Sequence, residues 1–298
     1  MDYHNPVLLH QSVDGLAIIP DGVYVDVTFG GGGHSREILK RLGEKGKLFA
    51  FDQDRDALEN KIDDDRFVLI GENFRYIKRF LRFNGANKVD GILGDFGVSS
   101  HQFDVAERGF STRFESDLDM RMDQNRGISA FEVVNKYDEK ELSRVLLKYG
   151  ELRSAQKIAR TVITKRKEGP IKTSEQLKEI LKPFLPVNRE HKVLAQVYQA
   201  IRIEVNQELD ALREFLQQTE EVLKSGGRLS LISYHSLEDR LVKRYIRSGL
   251  FEGEPEKDIF GHFEVPFKKV GKLIVPDKKE IKLNNRARSA KLRIAEKL

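Results

Sequence analysis

The sequence predicts an α/β fold: a mostly parallel sheet with helices on both faces, interrupted by an inserted all-helical subdomain. Three observations carry this. Short β-branched and aromatic runs recur every 18 to 25 residues through the first third of the chain. Helical patterns fill the gaps between them, which is the alternation of a βαβ unit. That rhythm then stops for 132 residues, Phe96 to Gly227, far more than one crossover connection requires.

Each element follows in order. The runs Val23–Val27, Leu48–Phe51, Arg66–Ile70 and Val89–Leu93 read as strands, with Ser35–Leu42 and Arg55–Ile62 as helices among them. In the long interval, Thr173-Ser-Glu-Gln176 forms a capping box ahead of Leu177, Ile180, Leu181, Phe184 and Leu185 at helical spacing. Pro183 and Pro186 end that helix before Arg189–Glu204 begins another. Leu209, Leu212, Phe215 and Leu216 repeat the helical spacing after Asn206. A fifth strand is expected at Arg228–Ile232, and the alternating Lys291–Ala295 reads as a strand returning at the sheet edge. The insert has its edges near Asp104 and Arg213, so residues 1–103 and 214–298 form the core and 104–213 the insert.

Composition narrows the class. With 39% apolar and 33% charged residues, the 298-residue chain is globular, not disordered. It has no Cys, which excludes disulfides, Cys-based zinc sites and thiol nucleophiles and permits a reducing compartment. Met1–Pro6 lacks the basic start and apolar stretch of a signal peptide, and no run reaches the ~18 apolar residues of a membrane helix. A soluble, cytoplasmic protein is expected. The net charge of +5 is uneven: Lys268–Leu298 holds eleven Lys/Arg against three acids, a surplus of +8, and the rest carries −3. Such a tail fits contact with nucleic acid, or simply a solvated surface.

The first strand runs into Asp26-Val-Thr-Phe-Gly-Gly-Gly-Gly-His-Ser35 and then a helix. Glycines let the backbone turn sharply and lie against a ligand, while helix-start N–H groups face it. Asp52, after the second strand, is placed to accept hydrogen bonds from ribose hydroxyls. The alternative is a tight βα turn with a helix-capping Asp. For a dinucleotide fingerprint the third glycine fails at Ser35. Asp26-x-Thr28-x-Gly30 comes nearer the pattern of S-adenosylmethionine enzymes, with Thr28 for a glycine and the acidic residue deciding the choice. Asp95 ends the fourth strand, where ligands bind in open α/β sheets. A carboxylate there can accept from an exocyclic amine and free its lone pair for methylation. It can equally hold the cofactor's amino acid part or cap the next turn.

The sequence as a whole resembles the bacterial small-subunit ribosomal RNA (cytosine-N4)-methyltransferase family. The resemblance rests on His4–Leu9, Thr28–Ser35, Asp95–Gln102, Glu107–Ser111, Asp119–Asp123, Tyr198–Ile203, Ser233–Arg240 and Asn284–Arg293, in order along the chain. It implies a Rossmann-like class I methyltransferase core and transfer of a methyl group from S-adenosylmethionine to N4 of a cytosine in the decoding centre (P site) of 16S RNA. The implied partner is small-subunit ribosomal RNA, in an assembled or nearly assembled subunit. The resemblance also implies that Gly32, Gly33 and His34 contact the methyl donor, Asp52 its ribose and Phe74 its adenine, with Asp95 and Gln102 near its methionine end. Departures are Phe96 where Leu is expected, Asn285 for Pro, and His10-Gln11 for Glu-Val, all beside these positions.

Other residues carry weaker expectations. Tyr234 could stack on an extruded cytosine, and His235 is either a site residue or a structural one. Asp119 and Asp123 stand four apart, as on one helical face, but few further oxygen ligands and the intervening Arg121 argue against a metal. Phe110, Met120 and Met122 read as packing. Arg286 and Arg288, on one face of an extended segment, could bracket phosphates, with Lys291 and Arg293 nearby. A catalytically silent RNA-binding or assembly factor on the same scaffold is the main alternative. A nicotinamide-dependent oxidoreductase is disfavoured by Ser35 and by the lack of a hydride-relay His/Lys set.

Overall fold

The structure is a computed structural model that describes residues 6–256, 258, 260 and 263–298. Met1–Asn5, including His4 and Asn5 of the first matching stretch, lie outside the described residues. The chain begins α1 (Leu9–Asp14), β1 (Val23–Asp26), α2 (Gly33–Arg41), β2 (Lys47–Phe51), α3 (Arg55–Leu58), β3 (Phe67–Ile70), α4 (Ile77–Phe83) and β4 (Val89–Asp95). Six helices follow: α5 (Ser100–Asp104), α6 (Ala130–Lys136), α7 (Glu139–Lys148), α8 (Ala155–Lys165), α9 (Ser174–Leu181) and α10 (Glu190–Asn206). It closes with α11 (Glu208–Val222), β5 (Leu223–Ser233), α12 (Ser236–Ser248), β6 (Phe267–Ile274), α13 (Lys278–Leu283) and β7 (Lys291–Lys297).

The chain divides into two compact units, Met1–Gly97 with Leu209–Leu298, and Val98–Glu208. In the first unit the described strands form one sheet in the order β3-β2-β1-β4-β5-β7-β6. The first five in that order are parallel neighbours, and β7 is antiparallel to both β5 and β6. This is a doubly wound arrangement with one antiparallel strand near its edge. Strands β1 and β2 are apolar along nearly their whole length because helices cover both faces. One core cluster joins Tyr24, Leu48 and Leu93 of the sheet to Ile38 and Leu39 of α2 and Val13 of α1. A second joins Val7 and Leu8 to Ile232, Leu292 and Ile294.

Two tail expectations are corrected, and one strand is added. The last strand is not the sheet edge: β7 lies between β5 and β6, because Leu292, Ile294 and Ala295 are buried while β6 exposes Lys268, Lys269 and Lys272. Strand β6 itself has no counterpart among the predicted strands, since its lysines and Gly271 hide any apolar alternation. Arg286 and Arg288 are not extended; they sit in a 3-10 turn, Asn285–Ser289, whose start is fixed by the Asn284 side chain accepting the Arg286 N–H at 3.1 Å.

In the second unit, capping boxes start α6 (Ser129 with Glu132), α7 (Asp138 with Glu141) and α9 (Thr173 with Gln176). Helix α10 buries Leu194, Val197, Tyr198 and Ile201. Phe110 and Met120 are buried as expected, and Met122 is half-buried. The segment around Asp119 and Asp123 is not helical. Met120 takes a left-handed φ of 60°, Asp119 pairs with Arg121 at 2.7 Å, and Asn206 holds the Met122 N–H and the Met120 carbonyl at 2.7 Å each. Among the described residues no helix is long and apolar enough to cross a membrane.

Candidate functional site

The carboxyl ends of β1, β2, β3 and β4 lie side by side, since each strand is paired in parallel with its neighbour. Such ends are where ligands bind in open α/β sheets. The loop after β1 is built by its own side chains. Asp26 is fully buried; one carboxylate oxygen accepts the Thr28 N–H at 3.1 Å, and the other accepts the Ser35 hydroxyl at 2.7 Å. The residue that breaks the dinucleotide pattern therefore ties the far end of the loop back to the strand. Burial raises the Asp26 carboxyl above the ordinary carboxylate range, while His34 works against that.

Gly30 and Gly32 hold φ values of 51° and 74°, in the left-handed region that favours glycine. A Cβ placed on Gly30 would meet nothing within 4 Å, so the loop leaves open space there. Its carbonyl is held away by Asn60 Nδ2 at 3.1 Å, and that of Gly31 by Arg36. Neither clamp carries a signal in the sequence. Gly33 is glycine for another reason: a Cβ there would lie 2.1 Å from Pro6 Cγ. Helix α2 begins at Gly33 with no side-chain cap, so its first N–H groups and positive dipole end face whatever occupies the loop. His34 is buried, and its Nε2 lies 3.2 Å from the Val7 carbonyl. The ring is thus engaged within the fold, and only its backbone N–H belongs to the free helix start.

Asp52 follows β2. Its carboxylate accepts the Gly30 N–H at 2.8 Å and the Asp54 N–H at 2.9 Å, joining the β2 end to the glycine loop. Burial pushes its carboxyl up to about 6 despite those two bonds. Phe74 follows β3 in a short 3-10 turn whose Asn73 side chain accepts the Arg75 N–H at 2.9 Å. Helix α11 secures the turn through Arg75–Glu214 (2.7 Å) and Gln218, which donates to the Arg75 carbonyl at 2.6 Å. The half-exposed Phe74 ring packs against Phe96 and Phe215, centroids 5.7 and 5.5 Å away, giving a rigid aromatic wall.

Asp95 ends β4. Its N–H donates to Thr28 Oγ1 at 2.6 Å, which couples the β1 and β4 ends. Its Oδ1 is buried with no hydrogen-bond partner. Burial pushes this carboxyl up to about 6 as well; His34 and Tyr234 oppose the rise, and Asp26 and Glu238 add to it. An unpartnered buried acceptor is costly unless something else supplies a donor.

The structure brings Gly32, Gly33, His34, Asp52, Phe74 and Asp95 to the carboxyl ends of β1 to β4. Tyr234 joins them at the adjacent end of β5, but not as a free stacking surface: it packs on the Ile232–Leu292 cluster. His235 caps α12, accepting the Glu238 N–H on Nδ1 at 3.4 Å, with Nε2 3.1 Å from Glu238 Oε1. Gln102 belongs to the second unit, where it is buried and shares a capping box with Ser99. Arg286 is half-buried, with a partner of its own, and Arg288 is exposed. Lys291 and Arg293 both pair with Asp239, at 3.1 and 2.7 Å. Together the strand ends offer an aromatic wall, a carboxylate beside a glycine turn, a free helix start and a second, unpartnered carboxylate. That set can hold an adenosine, carry a negatively charged group at the helix start, and accept from an amine.

Comparison with known proteins is consistent across the whole length. The model of the MraW methylase family matches residues 1–298. The protein named ribosomal RNA small subunit methyltransferase H of Christiangramia forsetii is 70% identical over 298 residues, covering 100% of this chain and 99% of that one. The protein of the same name from Flavobacterium johnsoniae is 68% identical over 298 residues with the same coverage, and that from Bacteroides thetaiotaomicron is 54% identical, covering 100% and 98%.

Proposed function

This chain belongs to the MraW methylase family, and we propose that, as an S-adenosylmethionine-dependent methyltransferase of small-subunit ribosomal RNA, it modifies N4 of a cytosine in the decoding centre. The observation that carries the amine as acceptor is the buried, unpartnered Asp95 Oδ1 at the end of β4. The residues present fit the cofactor: the space over Gly30 admits a ligand against the backbone, and Asp52, Phe74 and the α2 start supply an acceptor, a wall and N–H donors. When bound, S-adenosylmethionine supplies an electrophilic methyl group and a neutral thioether leaving group.

The chain's own task is to hold and orient. Asp52 takes ribose hydroxyls while keeping its two backbone bonds, since each carboxylate oxygen has a second lone pair. Phe74 would hold the adenine, and the N–H groups of Gly33 and His34 would receive the carboxylate of the methionine part. The helical insert, residues 104–213, recognises substrate. Asp95 accepts an N4 proton of the cytosine, which turns the nitrogen lone pair away from the ring and toward the methyl group. Arg286, Arg288 and the exposed lysines of β6 contact phosphates, and His235 serves the site indirectly, by capping α12. The work is done in the cytoplasm, on an assembled or nearly assembled subunit.

Mass-spectrometric mapping of 16S RNA, from cells with and without this protein and from isolated subunits incubated with it, tests the proposal. Loss of one N4-methylcytosine on deletion, restored by incubation of subunits but not of free RNA, is expected. Full binding to subunits with no methyl group transferred would establish the silent assembly factor instead.

A further inference from the structure

We infer that Thr28 is the positioning residue for Asp95: its hydroxyl replaces a backbone rung between β1 and β4 and so fixes the strand end that presents the free Oδ1 to the target amine. This deepens the reading above and rests on Asp95 being the amine acceptor.

Thr28 occupies the place of the first glycine in the acidic-x-Gly-x-Gly pattern, so a side chain here calls for a reason. The hydrogen-bond ladder supplies one. Strands β1 and β4 run in parallel register from Tyr24 opposite Gly91 to Asp26 opposite Leu93. The Val27 N–H then donates to the Leu93 carbonyl at 2.9 Å. The next donor on that side of β4 is two residues on, the Asp95 N–H, and its regular acceptor would be a carbonyl of a continuing β1. But β1 ends at Asp26, because the chain turns away into the glycine loop. The Thr28 hydroxyl takes the rung instead, accepting the Asp95 N–H at 2.6 Å. On the opposite side the Phe96 N–H donates to the Ile232 carbonyl of β5 at 3.0 Å. Asp95 is therefore held between a side-chain rung to one neighbour and a backbone rung to the other.

The side-chain rung is itself held. The buried Asp26 accepts the Thr28 N–H at 3.1 Å, and the same oxygen lies 3.5 Å from the Thr28 hydroxyl. A hydroxyl that turns its proton toward that carboxylate keeps a lone pair for the Asp95 N–H. Branching at Cβ limits the side chain to few rotamers, which suits a fixed acceptor. The strand ends also meet without slack, since a Cβ on Gly94 would lie 3.0 Å from both Val27 Cγ2 and Phe96 Cζ. Glycine at position 28 would make the turn equally well but leave the rung empty. The Asp95 peptide would then shift or keep an unpaired N–H, and Oδ1 would move with it. A small displacement of a group that meets the reacting atom is enough to slow transfer.

The test uses the full chain with Thr28→Val, which keeps the branched shape and removes the hydroxyl, and Thr28→Ser, which keeps the hydroxyl. Thr28→Gly takes the place of Thr28→Val should that variant not fold. Amide hydrogen exchange of Asp95 without cofactor reads the bond itself: protection relative to Leu93 should fall about tenfold in Thr28→Val and return in Thr28→Ser. Turnover on isolated small subunits at saturating cofactor should fall about tenfold in Thr28→Val and recover to within about twofold in Thr28→Ser, with S-adenosylhomocysteine affinity changed by less than about threefold in both. In an Asp95→Ala background Thr28→Val should cost no further turnover, since no carboxylate is left to position. Where Asp95→Ala is impaired, unchanged Asp95 exchange or full turnover in folded Thr28→Val, no recovery in Thr28→Ser, or equal losses in both backgrounds overturns the proposal and leaves the acceptor reading standing. Full turnover in Asp95→Ala overturns the acceptor reading, and this proposal with it.

Discussion

Replacing Gly33 with Ala isolates one contact of the glycine loop. Gly33 has an ordinary negative φ, so Ala brings no backbone strain and would favour the helix by roughly 0.5–1 kcal/mol. Its Cβ, however, would stand 2.1 Å from Pro6 Cγ and 3.0 Å from Pro6 Cδ. Carbon pairs settle at about 3.5–4.0 Å, so Pro6 must retreat by well over an ångström. The proline ring cannot rotate aside, and its neighbour Val7 offers its carbonyl to His34 at 3.2 Å and its side chain to the Ile232 cluster. Overpacking of this kind costs about 1–3 kcal/mol, and the weakened His34 bond adds about 1. The net is a loss of about 1–3 kcal/mol, a drop in Tm of several degrees. Gly30→Ala is the counterpart: its Cβ meets nothing within 4 Å, so the only stability cost is the left-handed φ, about 1–2 kcal/mol. Its methyl group enters the space proposed for the ligand. Thermal unfolding together with calorimetric titration of S-adenosylhomocysteine separates the two. Gly33→Ala should lose more in Tm and Gly30→Ala more in affinity. Pro6→Ala, which keeps a Cβ at 3.5 Å, should restore Gly33→Ala. If Gly33→Ala melts with the wild type, or Pro6→Ala fails to rescue it, the packing of the N-terminal segment on the loop is refuted.

The Asp52 carboxyl, raised to about 6 from an ordinary 3.8, holds its proton more tightly folded than unfolded, so its share of stability is lost as pH rises from about 4 to 6. Asp52→Asn should flatten urea-unfolding stability over that window and should remove part of the fall in S-adenosylhomocysteine affinity below pH 6. Asp239 behaves oppositely: burial works to raise it, but Arg293 and Lys291 outweigh burial and hold it low. Its stabilisation is present above the unfolded value and lost as pH falls, so Asp239→Asn should destabilise the protein at pH 7 and show a shallower acid slope; an unchanged slope would refute this. For RNA, Arg286→Ala with Arg288→Ala should flatten the log–log salt dependence of binding by about 0.7 for each phosphate no longer neutralised, as measured by filter binding. Lys268→Ala with Lys272→Ala, on the exposed side of β6, should flatten it further, and a wild-type slope in all four would place the RNA surface elsewhere.

The five parallel strands are readable because burial on both faces leaves continuous apolar runs, and Asp52 and Asp95 are readable because they terminate such runs. Strand β6 is not, since a strand exposing Lys268, Lys269 and Lys272 has no apolar period to detect. The turn at Arg286 and Arg288 depends on one Asn284 side-chain bond, whereas alternation alone suggests an extended chain. Tyr234 stands out as an aromatic beside the site, but its place near the end of β4 is set by the register of β4 on β5, which no local pattern encodes. The place of His34 after the glycines points its ring to the ligand; only the path of Val7 shows where the ring is spent.

The junction of the two extremes of the described chain bears on how the protein is made. Val7 and Leu8 share a cluster with Leu292 and Ile294, and the Leu8 N–H donates to Glu280, 272 positions away, at 2.6 Å. Strand β7 is also the one that joins β6 to the rest of the sheet. A growing chain on the ribosome can therefore pair β1 to β4 early, but it must wait for its last segment before the glycine loop gains its backing from Pro6 and Val7. Binding competence should arise late and abruptly in synthesis, and folding should be slow for its size, as contacts between distant segments require.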